Sequence, residues 1–211
     1  MGKLDLNKQL KRESLLNTAF ELFTTKGLNN TSISDIVEKA GVAKGTFYLY
    51  FKDKYDINNK LIVHKTSQLF DAAMNKLDAT DIAALDDKII FLVDDVLDSL
   101  AQNSSLLIFI NKNLGWGIFR TAMMAKETEE SRFHKVYNKL LENHGHELRN
   151  PDIMIYMIIE LVGSCCYNTI LYEEPVTLKA IKPYLYHTIR DIVADFTIDE
   201  NNNPLSGHIV K

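Results

Sequence analysis

The sequence predicts an all-α protein: an N-terminal three-helix unit followed by a larger helical body, about nine helices in total. Three observations carry that prediction. Apolar residues recur at intervals of three and four along most of the 211 residues, the spacing that gathers them on one face of a helix. No run alternates apolar and polar residues between hairpin-type turns. Helix stop and start signals crowd into the first sixty residues, at Gly27, at Ser32 to Asp35 and at Gly41.

The first helix is expected over about Lys8 to Lys26, with Leu15, Leu16, Ala19, Phe20 and Phe23 on one stripe and Gly27 as its left-handed stop. Ser32-Ile33-Ser34-Asp35 has the form of a capping box, so a second helix starts there, buries Ile33, Ile36, Val37 and Ala40, and ends at Gly41. A short third helix follows from Ala43 to Tyr50, with Phe47 and Phe51 turned to the core. Asp53, with Asp56 three residues on, caps a fourth helix that runs to about Leu77. Asp78 to Ala84 is the expected connector, and the body reads as helices near 85–102, 105–112, 116–145, 152–172 and 178–197. Pro183 either restarts or kinks the last of these. Residues after Phe196 are polar and expected to fray, and the tail 201–211 holds Asn201-Asn202-Asn203-Pro204, which cannot sustain a helix.

Composition narrows the class. With 46% hydrophobic and 25% charged residues the chain can bury a core and does not resemble a disordered segment. The most apolar stretch, Ile153 to Cys166, is broken by Glu160, so no membrane span is expected. The N-terminus lacks the apolar region of a signal peptide and the Ser or Thr of a myristoylation site, which leaves the cytoplasm as the expected compartment. Cys165 and Cys166 are adjacent, a poor placement for stapling distant segments, and read as reduced core residues. The net charge of −4 argues against a polyanionic partner until its distribution is considered. Residues 1–60 hold ten Lys and Arg against seven Asp and Glu, whereas residues 61–211 hold fourteen against twenty-one. A basic head on an acidic body is the asymmetry expected when one end meets nucleic acid.

The head supplies the means. Two helices joined by a short glycine-containing turn form a helix-turn-helix, whose second helix enters the major groove. On the short third helix Lys44, Gly45, Thr46, Tyr48 and Tyr50 fall on the outward positions. Lys44 can donate to guanine acceptors, Thr46 and Tyr48 can reach phosphate oxygens or a thymine methyl, and Gly45 lets the backbone approach the duplex. Lys52 and Lys54 flank the start of helix four, where a helix N-terminus and a cation together would grip a phosphate.

The run T-S-I-S-D-I-V-E-K-A-G-V-A-K-G-T-F-Y-L-Y-F-K-D-K, Thr31 to Lys54, strongly resembles the DNA-binding signature of the TetR family of bacterial transcriptional regulators, and the resemblance extends over about Lys8 to Leu61. It implies an all-α homodimer with two reading heads on a palindromic operator, acting as a repressor that a small molecule releases. By position it implies Ser34, Lys44, Gly45, Thr46 and Tyr48 at or near bases, Thr31, Ser32, Tyr50 and Lys54 at phosphates, and Phe47 and Phe51 in the core. Residues 1–54 would be the DNA-binding domain, helix four at about 54–77 the link, and 55–200 the ligand-binding and dimerisation domain.

The body carries no diagnostic motif. The segment Ile153 to Cys166 is apolar almost all round, so its helix must be covered on two sides, one by a pocket and one by a partner. With the apolar stripe of the last helix it forms a plausible isologous four-helix interface, for which Ile158, Leu161, Val162, Cys165, Leu185, Ile189, Ile192 and Phe196 are the candidates. Pocket candidates are Phe109, Trp116, Phe119, Met123, Met124 and Tyr137, with Tyr156, Met157 and Tyr167 opposite, and Arg120 as the cation for an anionic end. That set fits a largely apolar or amphiphilic ligand. The alternative is a DNA-binding regulator or architectural protein governed by a protein partner or by no ligand.

Enzymatic readings fare poorly. There is no G-x-S-x-G elbow, and the Gly41 to Thr46 segment has the wrong spacing for a phosphate loop. His144-Gly145-His146-Glu147, with His134 upstream, lacks metal-site spacing, so neither metal nor cofactor is expected.

Overall fold

The computed structural model describes residues 3–111, 137–142 and 147–198. Its helices are α1 (Lys3–Thr25), α2 (Ile33–Ala40), α3 (Lys44–Tyr48), α4 (Lys54–Leu77), α5 (Leu85–Ala101), α6 (Ser104–Asn111), α7 (Pro151–Tyr172) and α8 (Leu178–Phe196). Residues 137–141 are also helical and belong to the helix expected over 116–145, most of which lies outside the described residues. A two-residue ladder joins β1 (Glu147–Leu148) to β2 (Thr197–Ile198), antiparallel, with Glu147 opposite Ile198.

The chain divides into two compact units, Met1–Lys65 and Thr66–Lys211. The division falls eleven residues later than the expected boundary at 54, inside α4. The reason is chemical: the first half of α4 is tied to the first unit. Ile57 and Leu61 are fully buried, Lys65 Nζ donates to Asn17 Oδ1 at 3.2 Å and lies over the Phe20 ring, and His64 Nε2 stands 3.3 Å from Glu13.

In the first unit the core is Leu15, Leu16 and Ala19 of α1, Ile36 of α2, and Phe47, Phe51, Ile57 and Leu61. Each large side chain there contributes about 1.5–3 kcal/mol by leaving water. α1 begins five residues earlier than expected, because nothing between Lys3 and Lys8 breaks a helix. Leu6, in the added turn, and Leu10, just beyond it, are exposed.

In the second unit α7 packs on α8, α5 and α6, and α8 also packs on α5. The α5–α8 seam is polar along its edge. Lys182 Nζ sits 2.5 Å from both Asp94 and Asp98, the Tyr186 hydroxyl donates to Asp94, and Arg190 reaches Asp86 at 3.5 Å and Asp87 at 2.5 Å. Burial alone would raise the Asp94 carboxyl, but the bonds from Lys182 and Tyr186 hold it below the usual range. Pro183 lies inside α8, which continues through it.

Two expectations need correction here. α7 is long and apolar enough to cross a membrane by length and composition alone, since Asp152 and Glu160 among twenty-two residues do not spoil the average. In this structure it is instead covered on one face, with Met154, Ile155, Ile158, Cys166 and Thr169 buried. The chain just beyond Phe196 is ordered rather than frayed: Thr197 and Ile198 are buried, and Arg149 N donates to Phe196 O at 2.9 Å.

Candidate nucleic-acid interface and apolar cavity

The presentation of α3 depends on how α2 starts and stops. Ser32 Oγ accepts from Asp35 N at 3.1 Å, and Asp35 Oδ2 accepts from Ser32 N at 2.7 Å and from the Ser32 hydroxyl at 2.6 Å, completing the capping box. Those bonds, from the Ser32 side chain first and its amide second, hold the Asp35 carboxyl below its ordinary value. At the other end Gly41 adopts φ 67°, and Val42 N donates to Val37 O at 3.0 Å, which turns the chain straight into α3. Ser14 Oγ of α1 donates to Ala40 O at 3.4 Å and pins that corner from behind.

α3 has five residues, shorter than the eight expected, because the backbone tightens after Tyr48 and Phe51 is already buried. Phe47 is its anchor, fully buried and 5.5 Å from the rings of both Tyr48 and Phe51. With Phe47 inward, Lys44, Gly45 and Tyr48 face outward together, Ser34 of α2 is exposed, and Thr46 is half-buried. Leu49, which sequence reasoning passed over, is 78% exposed, and Tyr55 is also exposed. The signal was present in the pattern: once Phe47 and Phe51 are core, Leu49 must point away from both. Gly45 has ordinary helical backbone and nothing within 4 Å of where a Cβ would stand.

The residues expected at phosphates behave differently. Lys52 is exposed, as is Ser32, although the Ser32 hydroxyl serves its helix cap. Tyr50 is half-buried, and its carbonyl accepts from Lys60 Nζ at 3.2 Å. Thr31 is a correction: it is 1% exposed and its hydroxyl donates to Gly27 O at 2.9 Å, so that side chain closes the α1–α2 turn from inside. Lys54 is another. Its Nζ donates to Leu28 O, Asn29 O and Thr31 O at 3.1, 3.2 and 3.4 Å, clasping the same turn. Nor are the first amides of α4 open to an anion, since Asp53 Oδ1 accepts from both Tyr55 N and Asp56 N at 2.8 Å. Asp56 accepts in turn from Lys52 N at 2.8 Å; burial pushes its carboxyl up, but this bond and the one from Lys60 bring it below the usual range.

The second unit holds a cavity of about 130 Å³. Its described walls are Thr66, Leu69 and Phe70 of α4, the inner face of α5 from Ile89 to Leu100, Leu107 and Ile110 of α6, Tyr137, Leu140, and Ile155 to Ile170 of α7. Tyr137 and Tyr167 are among its walls. Phe109 is buried but is not among the described walls, while Tyr156 and Met157 are exposed on the far side of α7. The helix explains this: Ile155, Ile158, Ile159, Val162, Gly163 and Cys166 follow one another at three- and four-residue steps, so 156 and 157 fall opposite. Trp116, Phe119, Arg120, Met123 and Met124 lie outside the described residues.

The same phase corrects the interface candidates. Ile158 and Val162 face the cavity, and Leu185 and Ile189 are buried within the protomer at 3% and 0% exposure. Leu161, Cys165, Ile192 and Phe196 are half-exposed, beside the open side chains Ile153, Tyr156, Met157 and Tyr184. Inside the cavity the Cys166 thiol is pushed up to about 11 by burial and by Cys165, so it is neutral. The Tyr137 hydroxyl donates to Asp152, and burial, then that carboxylate, hold it protonated.

Comparison with known proteins places this architecture. Residues 15–60 match bacterial regulatory proteins, tetR family. The fatty acid metabolism regulator protein of Bacillus subtilis (strain 168) is 31% identical over 183 residues, 86% of this chain and 90% of that one. The chain belongs to the TetR family. This TetR-family chain is also 48% identical over 63 residues to the HTH-type transcriptional regulator YvdT of the same organism, a match spanning 28% of this chain and only 32% of that relative. The fold is shared with the transcriptional regulator FadR from Bacillus subtilis, solved in complex with stearoyl-CoA, at TM-score 0.60 and 20% identity over 86% of this chain and 97% of that one. This TetR-family member is therefore a transcriptional regulator, and its relatives are regulators rather than enzymes.

Proposed function

We propose that this regulator acts in the cytoplasm as a homodimeric repressor on a palindromic operator and is released by a small, largely apolar molecule, a long-chain fatty acyl compound. The observation that carries the ligand is the cavity, whose described walls are hydrocarbon apart from a few neutral polar groups. The relative that matches along 90% of its length is a fatty acid metabolism regulator, which supports the acyl reading. In the head, Lys44, Thr46, Tyr48 and Ser34 read base edges, with Gly45 admitting the backbone, and Lys52, Ser32 and Tyr50 meet phosphates. The outward faces of α7 and α8 pair two copies through Leu161, Cys165, Ile192 and Phe196. Ligand entry acts through α4, which carries cavity residues at one end and the Lys54 clasp at the other.

Selection of bound duplexes from a random pool tests the first half, and addition of stearoyl-CoA to the selected complex tests the second. A recovered palindrome released by stearoyl-CoA, and not by coenzyme A alone, is the expected result. A folded protein that enriches no sequence overturns the operator reading. Equal release by coenzyme A overturns the acyl reading.

A further inference from the structure

We infer that Thr66 is the polar anchor of the cavity's ligand, and that this ligand is an apolar chain bearing one uncharged hydrogen-bond acceptor, the carbonyl of an ester or thioester. The inference rests on the proposal that the cavity binds a ligand, and deepens it.

Several threonine hydroxyls in these helices close on the carbonyl four residues back: Thr24 on Phe20 O at 2.8 Å, Thr169 on Cys165 O at 2.9 Å, and Thr188 on Tyr184 O at 3.0 Å. Thr66 departs from that habit. It is 7% exposed, it lines the cavity, and its Oγ1 has no hydrogen-bond partner among the described residues. A buried hydroxyl left unpaired destabilises the fold, and such groups are rare enough to call for an explanation. An acceptor on a bound molecule supplies one.

The remaining wall defines the rest of that molecule. The described lining is aliphatic or aromatic around Thr66, the Tyr137 hydroxyl is committed to Asp152, and the Cys166 thiol is neutral. Among the described lining residues no Lys, Arg, Asp or Glu occurs, so none of them would offer a counter-charge to an ionised carboxylate drawn against Thr66. A neutral carbonyl accepts the Thr66 O–H without that penalty. Thr66 is also the first residue of the second unit, on the helix that begins in the first. The ligand's single directional bond is thereby made to α4 rather than to α5, α6 or α7.

The test compares methyl laurate with dodecane as probes, each titrated against a fluorescent apolar dye held by the full chain, in the parent and in Thr66→Val and Thr66→Ser. The parent should prefer the ester by roughly five- to tenfold, the worth of one neutral hydrogen bond. Thr66→Val should bind the two probes alike, with dodecane affinity unchanged and the ligand-free melting temperature raised. Thr66→Ser should keep the preference. A Thr66→Val protein that retains the preference, or that melts lower than the parent, overturns the anchor while leaving a ligand-binding cavity in place. If neither probe displaces the dye from the parent, the ligand reading of the cavity falls, and the anchor with it.

Discussion

Lys44 and Lys52 carry the same charge eight residues apart, yet the surface around each sets a different task. Lys44 stands beside Gly45 and Tyr48 on the outward side of α3, whereas Lys52 lies past Phe51 in the bend before α4. Lys44→Ala should lose about 1–3 kcal/mol of discrimination at one base position, read as a flattened preference in a duplex-selection assay. Lys52→Ala should weaken all duplexes alike and lower the salt slope of log K by about one. Lys54 departs from what its position in the sequence foretold. With Nζ on three turn carbonyls, Lys54→Ala should lower the unfolding free energy of the head by about 1 kcal/mol and leave the salt slope unchanged; a reduced slope would restore it to the phosphate contacts. Residue types thus announced a candidate interface, but not which lysine the fold itself uses. That depended on the path of the chain at Leu28 to Thr31, twenty-odd residues away in sequence.

At the scale of elements, the helices of the head were legible because each has its own punctuation. The Ser32–Asp35 box and Gly41 bound α2 within a residue, and Asp53 marks the start of α4. Gly41 is required for its backbone alone, at φ 67° with open space where a Cβ would stand. Gly41→Ala should therefore destabilise by about 1–2 kcal/mol, visible as a lower denaturation midpoint with an unchanged slope. α7 shows where such reading stops. Apolar residues all round give a helix no phase, so Ile158 and Val162 could not be separated from Leu161 and Cys165 until the neighbours were in place. The two-residue strands had no sequence signature either, since two residues cannot establish an alternation.

At the scale of the molecule, the proposed pairing of two copies through the outward faces of α7 and α8 makes its own prediction. Met157→Arg places a charge on a side chain that is 43% exposed in the protomer, so folding should change little. Sedimentation should show monomers where the parent sediments as a dimer, and operator affinity should fall by well over tenfold as two heads cease to bind together; a variant that still sediments as a dimer would move the interface elsewhere. Assembly also gives the open space around Gly45 a genetic meaning. Alanine there meets nothing in the protomer and suits a helix better by about 1 kcal/mol, so Gly45→Ala protein should be at least as abundant as the parent. Its added methyl would obstruct the duplex instead. If the chain is the dimeric repressor proposed above, plentiful mutant chains in a cell carrying both alleles would pair with normal ones and disarm them, so this gentle substitution should behave as dominant, and a reporter under the operator should be derepressed even with the normal copy present.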